Sequence, residues 1–304
     1  MTGPASRVAD LLTGSAYASG WAGVRALPEP VAVALFDAGA RLAARRGGRQ
    51  VERLRANLAR VVPSAGPGEL DAVVTAGLRS YARYWREVFR LPVMPRDRIL
   101  TGMSTVGRER LDAALSSGRG VVLPLPHSGN WDHAGAWLAA NGHPFTTVAE
   151  RLRPESLFDR FVSFREGLGM EVLPLTGGSR APFEVLRERL EAGGTLCLMA
   201  DRDLTPRGVD VTFFGARARM PAGPATLALA TGAVLLPATL CFLPGGWQVR
   251  FHPEVPPSDV PTMTQTVAAA FEQGIGDHPE DWHMLQRLWL DDLDPDDPRR
   301  TAAG

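Results

Sequence analysis

The sequence predicts an α/β fold in which a sheet is covered by helices on both faces. Three observations carry this. From Gly118 onward, short apolar runs alternate with stretches of helical periodicity. The apolar runs are hydrophobic along their whole length rather than at every second position, as strands buried on both faces require. With 304 residues, 45% of them hydrophobic, the chain can fill a sizeable core.

Residues 5–60 read as helices separated by Pro28 and Pro30. In "PVAVALFDAGARLAARR" the residues Val31, Leu35, Ala38 and Leu42 recur at helical spacing. Seven arginines and one acid, Glu52, follow between positions 41 and 60. A basic stretch after an amphipathic one suits a helix pair lying on an anionic lipid surface; a solvated helix face is the alternative. Residues 69–91 predict a helix in which Tyr81, Trp85 and Phe89 recur every fourth residue and should face the core. A helix over 108–117 leads to Gly118.

The alternating region follows. "GVVLPLPH", "PFTTVAE", "MEVLPLTGG" and "TLCLMADRD" read as strands, with helices in "DHAGAWLAANG", "SLFDRFVSFREGLG" and "APFEVLRERLEAGG" between them. A helix in "AGPATLALATG" precedes two further strands, "AVLLPATLCF" and "GWQVRFHPEV", and a long helix covers 262–276. The chain divides into amphipathic and basic helices over 1–60, belonging to the same unit, an α/β domain over 61–290, and an acidic solvated tail over 291–304.

Composition excludes several classes. Net charge is zero, with 33 basic and 33 acidic residues, so no nucleic-acid partner is implied. Every basic residue is arginine. Asp10 and Gly14 interrupt the first apolar residues, so no signal peptide is expected, and no stretch of 18 uncharged apolar residues predicts a spanning helix. Cys197 and Cys241 lie far apart in apolar runs and read as two buried, reduced thiols.

In open α/β sheets the site lies at the carboxyl ends of strands. There the first strand delivers His127, the second Glu150, and the fourth Asp201 with Arg202 and Asp203. A base and carboxylates from three strand ends form a base-and-orienter set. In "PHSGNWD", Asp132 follows His127 by five positions. On one helix the two would stand about 140° apart. With His127 ending a strand and Asp132 in the first helical turn, Gly129 permits a tight turn and Ser128 or Asn130 can cap the helix. The Asp132 carboxylate is then expected to fold back onto the imidazole, leaving the other nitrogen to accept a proton from a hydroxyl.

No Gly-x-Ser-x-Gly elbow, Walker loop, Gly-x-Gly-x-x-Gly or His-Glu-x-x-His appears. His127 with His133 makes a poor metal site, so no metal and no cofactor are expected. What remains is a histidine base acting directly on a hydroxyl.

The stretches "PHSGNWDHAGAWL", "FTTVAERLRPESLFDRFVSFREGLGMEVLPLTGG", "ADRDL" and "VTFFGARARMPAGPATLALATGAVLLP", with "ANLARV", "SYARYWREVFRLP" and "DWHMLQ", resemble the bacterial lipid A biosynthesis acyltransferase family, and within it the actinobacterial branch acting on phosphatidylinositol mannosides. The resemblance implies a central, mostly parallel sheet flanked by helices, as in glycerolphosphate acyltransferases, with N-terminal helices on the membrane surface. It implies transfer of a long acyl chain, commonly palmitoyl, from acyl-CoA to the 6-hydroxyl of a mannose, by a peripheral protein on the cytoplasmic face of the membrane. Acyl-CoA is then a substrate, and a phosphatidylinositol mannoside or related glycolipid is the acceptor. Another glycolipid or a lysophospholipid as acceptor, and an inactive lipid-binding homologue, are the alternatives.

By the same resemblance His127 is the general base, Asp132 the motif aspartate, Glu150 an acid near the base, and Asp201 the acid of a charge relay. Asp201 is one methylene shorter than the glutamate such relatives can carry, which shortens its reach toward the imidazole. Arg165, Arg202, Arg207 and Arg219 are candidates for phosphate or pantetheine contacts, with surface ion pairing as their alternative role.

Overall fold

The computed structural model describes residues 20–151, 154–203, 208–294 and 297. Helical backbone over 20–26 is followed by α1 (Glu29–Arg46), α2 (Arg49–Val61) and α3 (Pro67–Arg90). Proline opens α3, where its missing N–H costs nothing, and Glu69 accepts a bond from the Gly66 N–H at 2.8 Å. After α4 (Arg96–Thr101), β1 (Met103–Val106) and α5 (Arg108–Ser116), strand and helix alternate: β2 (Val121–Leu125), α6 (Trp131–Ala140), β3 (Phe145–Ala149), α7 (Glu155–Glu166), β4 (Met170–Pro174), α8 (Pro182–Glu191) and β5 (Thr195–Met199). A hairpin, β6 (Val209–Phe213) and β7 (Ala216–Met220), precedes α9 (Gly223–Thr231), β8 (Val234–Leu235), β9 (Ala238–Leu243), β10 (Gly246–Phe251) and α10 (Val260–Asp277).

The central sheet has the order β4-β3-β5-β2-β8 and every pair in it is parallel. Its strands are largely apolar because both faces are covered. Val121, Leu123 and Leu125 of β2 join one core with Trp137, Phe145 and Phe161, while Val122 joins another with Leu196, Leu198 and Phe271. Of the described helices, none is long and apolar enough to cross a membrane. Both cysteines are free and buried.

The structure departs from the sequence expectation in three places, and on α1 it shows which way the expected apolar face points. The run "AVLLPATLCF" is not one strand. Pro237, which cannot donate to a ladder, separates β8 in the central sheet from β9 in a second sheet of order β1-β10-β9. The hairpin β6–β7 was not anticipated; its turn residues Phe214 and Gly215 both have positive φ, 46° and 73°, the twist a tight hairpin needs. On α3 the fully buried face is Tyr84, Glu87 and Val88, one step round from the expected stripe, so Tyr81, Trp85 and Phe89 are only half-buried. On α1, Val31, Leu35 and Leu42 are 50%, 58% and 46% exposed, and small residues, Ala32 and Ala40, form the buried side. The apolar repeat of α1 therefore faces outward.

Candidate active site

The turn after β2 sets the geometry. Gly129 has φ +57°, and a Cβ there would lie 2.9 Å from the Leu240 carbonyl carbon, so only glycine fits. Asn130 caps α6 by accepting from the His133 N–H at 2.9 Å. Ser128 is buried, and its Oγ accepts from the Leu240 N–H at 3.4 Å, so it is spent on structure.

His127 is held by Asp201, which stands at the end of the neighbouring strand β5. The Nδ1 to Oδ1 distance is 2.6 Å, and the His127 backbone N–H donates to Oδ2 at 2.9 Å. The indole Nε1–H of Trp282 donates to the same Oδ2 at 2.9 Å. Asp201 is fully buried, which alone would raise its pKa; the imidazole and the three N–H donors outweigh burial and hold it below the usual carboxylate value. An ionised carboxylate on Nδ1 fixes the neutral ring's proton there and leaves Nε2 as the acceptor. The shorter aspartate reaches the imidazole directly.

The expected contact between Asp132 and His127 is not formed. Asp132, in the first turn of α6, accepts from Arg165 at 2.7 and 3.2 Å and from the Tyr84 hydroxyl at 2.8 Å. The reason is local. Trp131 opens the helix, with its ring edge-on to His127 at 5.5 Å, and Asp132 points on toward α7 and α3. Burial would lower the Arg165 pKa, but Asp132 overcomes it and raises it; burial, then Asp132, pushes the Tyr84 phenol well up. Arg165 is thus a buried ion pair rather than a surface one.

Glu150 is 55% exposed at the lip of the cleft and pairs with Arg202 at 3.1 Å. Arg219 is buried against Asp210 at 2.7 Å on the hairpin and is absent from the described cleft wall. Arg207 lies outside the described residues.

His127, Trp131, Glu150, Arg165 and Arg202 line one open cleft of about 600 Å³, with Arg53 and Arg287 on its wall. A narrow apolar cavity of about 70 Å³ adjoins it, walled by Leu123, Leu125, Ala134, Gly135, Phe145 and Val249 among others. Trp131, Val148, Arg165 and Met199 belong to both. Cys197 lines that cavity, and burial pushes its thiol pKa up; burial also pushes Cys241 up, to about 11. Neither thiol is an activated nucleophile.

Sequence reasoning passed over the segment that closes the site from behind. Besides the Trp282 bond, the His283 N–H donates to the His127 carbonyl at 2.8 Å, and the Gly129 N–H to the Asp281 carbonyl at 2.9 Å. Asp281 Oδ1 accepts from Ser80 at 2.6 Å, and Ser80 Oγ lies 2.9 Å from His283 Nε2. Only the rare residue types of "DWHMLQ" signalled this.

A parallel sheet that ends in a histidine, with an apolar cavity adjoining its cleft, suits one class of enzyme, the acyltransferases. Comparison with known proteins agrees. The chain belongs to the bacterial lipid A biosynthesis acyltransferase family, whose model matches residues 4–291. It is 55% identical over 295 residues to a phosphatidylinositol mannoside acyltransferase of Mycolicibacterium smegmatis, covering 96% of each chain. It is 54% identical over 297 residues to the phosphatidylinositol mannoside acyltransferase of two Mycobacterium tuberculosis strains, covering 95% of this chain and 92% of each relative.

Proposed function

We propose that this chain moves a long acyl group, palmitoyl in the first instance, from acyl-CoA to the 6-hydroxyl of a mannose on a phosphatidylinositol mannoside. The observation that carries the reading is the His127–Asp201 pair at a cleft with an adjoining apolar cavity. The hydroxyl gives its proton to His127 Nε2 as its oxygen attacks the thioester carbonyl. Asp201 stabilises the imidazolium that forms. The C–O bond forms, the C–S bond breaks, and the proton passes from the imidazolium to the departing thiolate.

A thioester is already activated, so no covalent acyl-enzyme is required. The absence of an activated Cys or a free Ser beside His127, among the described residues, supports direct transfer. The apolar cavity suits the donor chain, and Arg53, Arg202 and Arg287 offer charge to its phosphates. The outward apolar stripe of α1 and the arginines at 41, 45, 46 and 49 suit reversible docking on the anionic cytoplasmic face of a membrane.

The test is incubation of the protein with radiolabelled palmitoyl-CoA and a panel of acceptors, read by mass spectrometry. Palmitate should appear on the mannoside hydroxyl. Labelling of a lysophospholipid or another glycolipid in its place would reassign the acceptor.

A further inference from the structure

A second apolar space adjoins the cleft. Between α1 and α3 lies an open groove of about 890 Å³. Its lining is almost wholly apolar: Leu35 and Phe36 from α1, and Trp85 and Phe89 from α3. Its width comes from small residues on α1, Gly39, Ala40 and Ala43, where larger side chains would fill it.

Three features give this groove an occupant. It shares Gln50, Tyr81, Trp85 and Leu285 with the active-site cleft, so the two spaces adjoin. It shares no residue with the apolar cavity assigned to the donor chain. Its outer rim is Leu35, 58% exposed in the outward stripe of α1, which carries the groove to the surface proposed to meet lipid. Half-burial of Tyr81, Trp85 and Phe89 fits this: one side of each packs on the core, and the other walls the groove. A lipid acceptor must bring a polar hydroxyl to His127 without drawing its hydrocarbon into water, and an apolar path from surface to cleft does this.

We infer that the α1–α3 groove binds one acyl chain of the lipid acceptor, while the donor chain takes the separate cavity. This rests on the acyl-transfer reading above.

A Cβ on Gly39 meets nothing within 4 Å, so a larger side chain there enters the groove without touching the backbone. The experiment compares Gly39→Phe, Ala43→Phe and the control Ala34→Phe, at an exposed α1 position outside the groove lining, with the natural protein. Palmitoyl-CoA is the donor. The acceptors are a diacylated phosphatidylinositol mannoside in mixed micelles and its deacylated, water-soluble glycerophospho counterpart. The two Phe variants should lose at least tenfold in kcat/KM on the diacylated acceptor and stay within about twofold on the deacylated one. Ala34→Phe should match the natural protein on both.

Equal losses on both acceptors overturn the inference. No loss on either overturns it as well. Loss of vesicle flotation in step with activity would assign α1 to surface docking instead. If the natural protein transfers palmitate to neither acceptor, the acyl-transfer reading itself has failed, and the inference with it.

Discussion

Replacing Asp201 with asparagine separates the two aspartates that the sequence could not rank. Asp201 accepts three N–H bonds, two from His127 and one from Trp282. An amide oxygen cannot take all three, so at least one buried donor faces an NH₂ group. If that donor is Nδ1, the tautomer reverses, and Nε2 carries the proton and ceases to be a base. Without reversal, the imidazolium still loses its counter-charge. General-base assistance is worth about 10²–10⁴-fold, or about 2.7–5.4 kcal/mol of barrier. We therefore expect kcat to fall by about that factor with KM little changed. Palmitoyl transfer by initial rates, with a circular-dichroism melt to establish folding, measures it. Asp132→Asn should behave oppositely. It weakens the counter-charge of buried Arg165, so stability should fall by about 3 kcal/mol with a smaller effect on chemistry. A folded Asp201→Asn variant within threefold of natural kcat, or an Asp132→Asn variant that loses more turnover while keeping its melting temperature, would refute the assignment of the relay to Asp201.

Three further outcomes are expected. The fold should lose stability as pH falls below 6.5, because burial holds His133, His252 and His283 neutral, with values near 3, 4 and 3. The unfolded chain binds those protons first, at up to about 1.4 kcal/mol per pH unit for each histidine. Asp281, lifted to about 6 by burial, works in the opposite sense and returns part of it. His133→Phe should keep the stacking on Trp247 and flatten the melting-temperature profile between pH 6.5 and 5; an unchanged slope counts against it. Gly135→Leu should shift donor preference to shorter acyl chains, since a Cβ there already meets Met170 and Phe145 in the apolar cavity, and overpacking should cost about 1–3 kcal/mol. An unaltered chain-length profile would mean the donor chain lies elsewhere. Flotation with anionic vesicles should weaken as salt rises; binding indifferent to salt and lipid charge contradicts an electrostatic part for the α1 and α2 arginines.

The central sheet was legible because burial on both faces writes itself as unbroken apolar runs, and Val121 to Leu125 is such a run. His127 and Asp201 were legible as strand-end residues, since the end of a parallel strand is a position the pattern marks. Which carboxylate holds the imidazole was not. Five residues of spacing allow Asp132 to fold back or to point on, and the choice is made by Arg165 and Tyr84, 33 and 48 positions away in sequence. The hairpin β6–β7 escaped because its strands lack the unbroken apolar runs of the central sheet, β6 carrying Asp210 and Thr212 and β7 Arg217 and Arg219, and because it turns on a phenylalanine in a left-handed conformation. The apolar stripe of α1 was legible as the face of an amphipathic helix suited to a lipid surface. Periodicity shows that a helix has an apolar face but not whether protein or something else covers it.

The bond from Trp282 to Asp201 has a consequence for synthesis. The base is assembled from three stretches of chain, with His127 and Asp201 separated by 74 positions and Asp201 and Trp282 by 81. On a ribosome the first two emerge well before the third. Until the indole and the His283 N–H arrive, the His127 carbonyl lacks its donor, Oδ2 of Asp201 keeps only the His127 N–H, and the loop that carries the histidine rests on Leu240. The His127–Asp201 pair is thus among the last parts of the molecule to be finished, set only after every strand of the central sheet has been made.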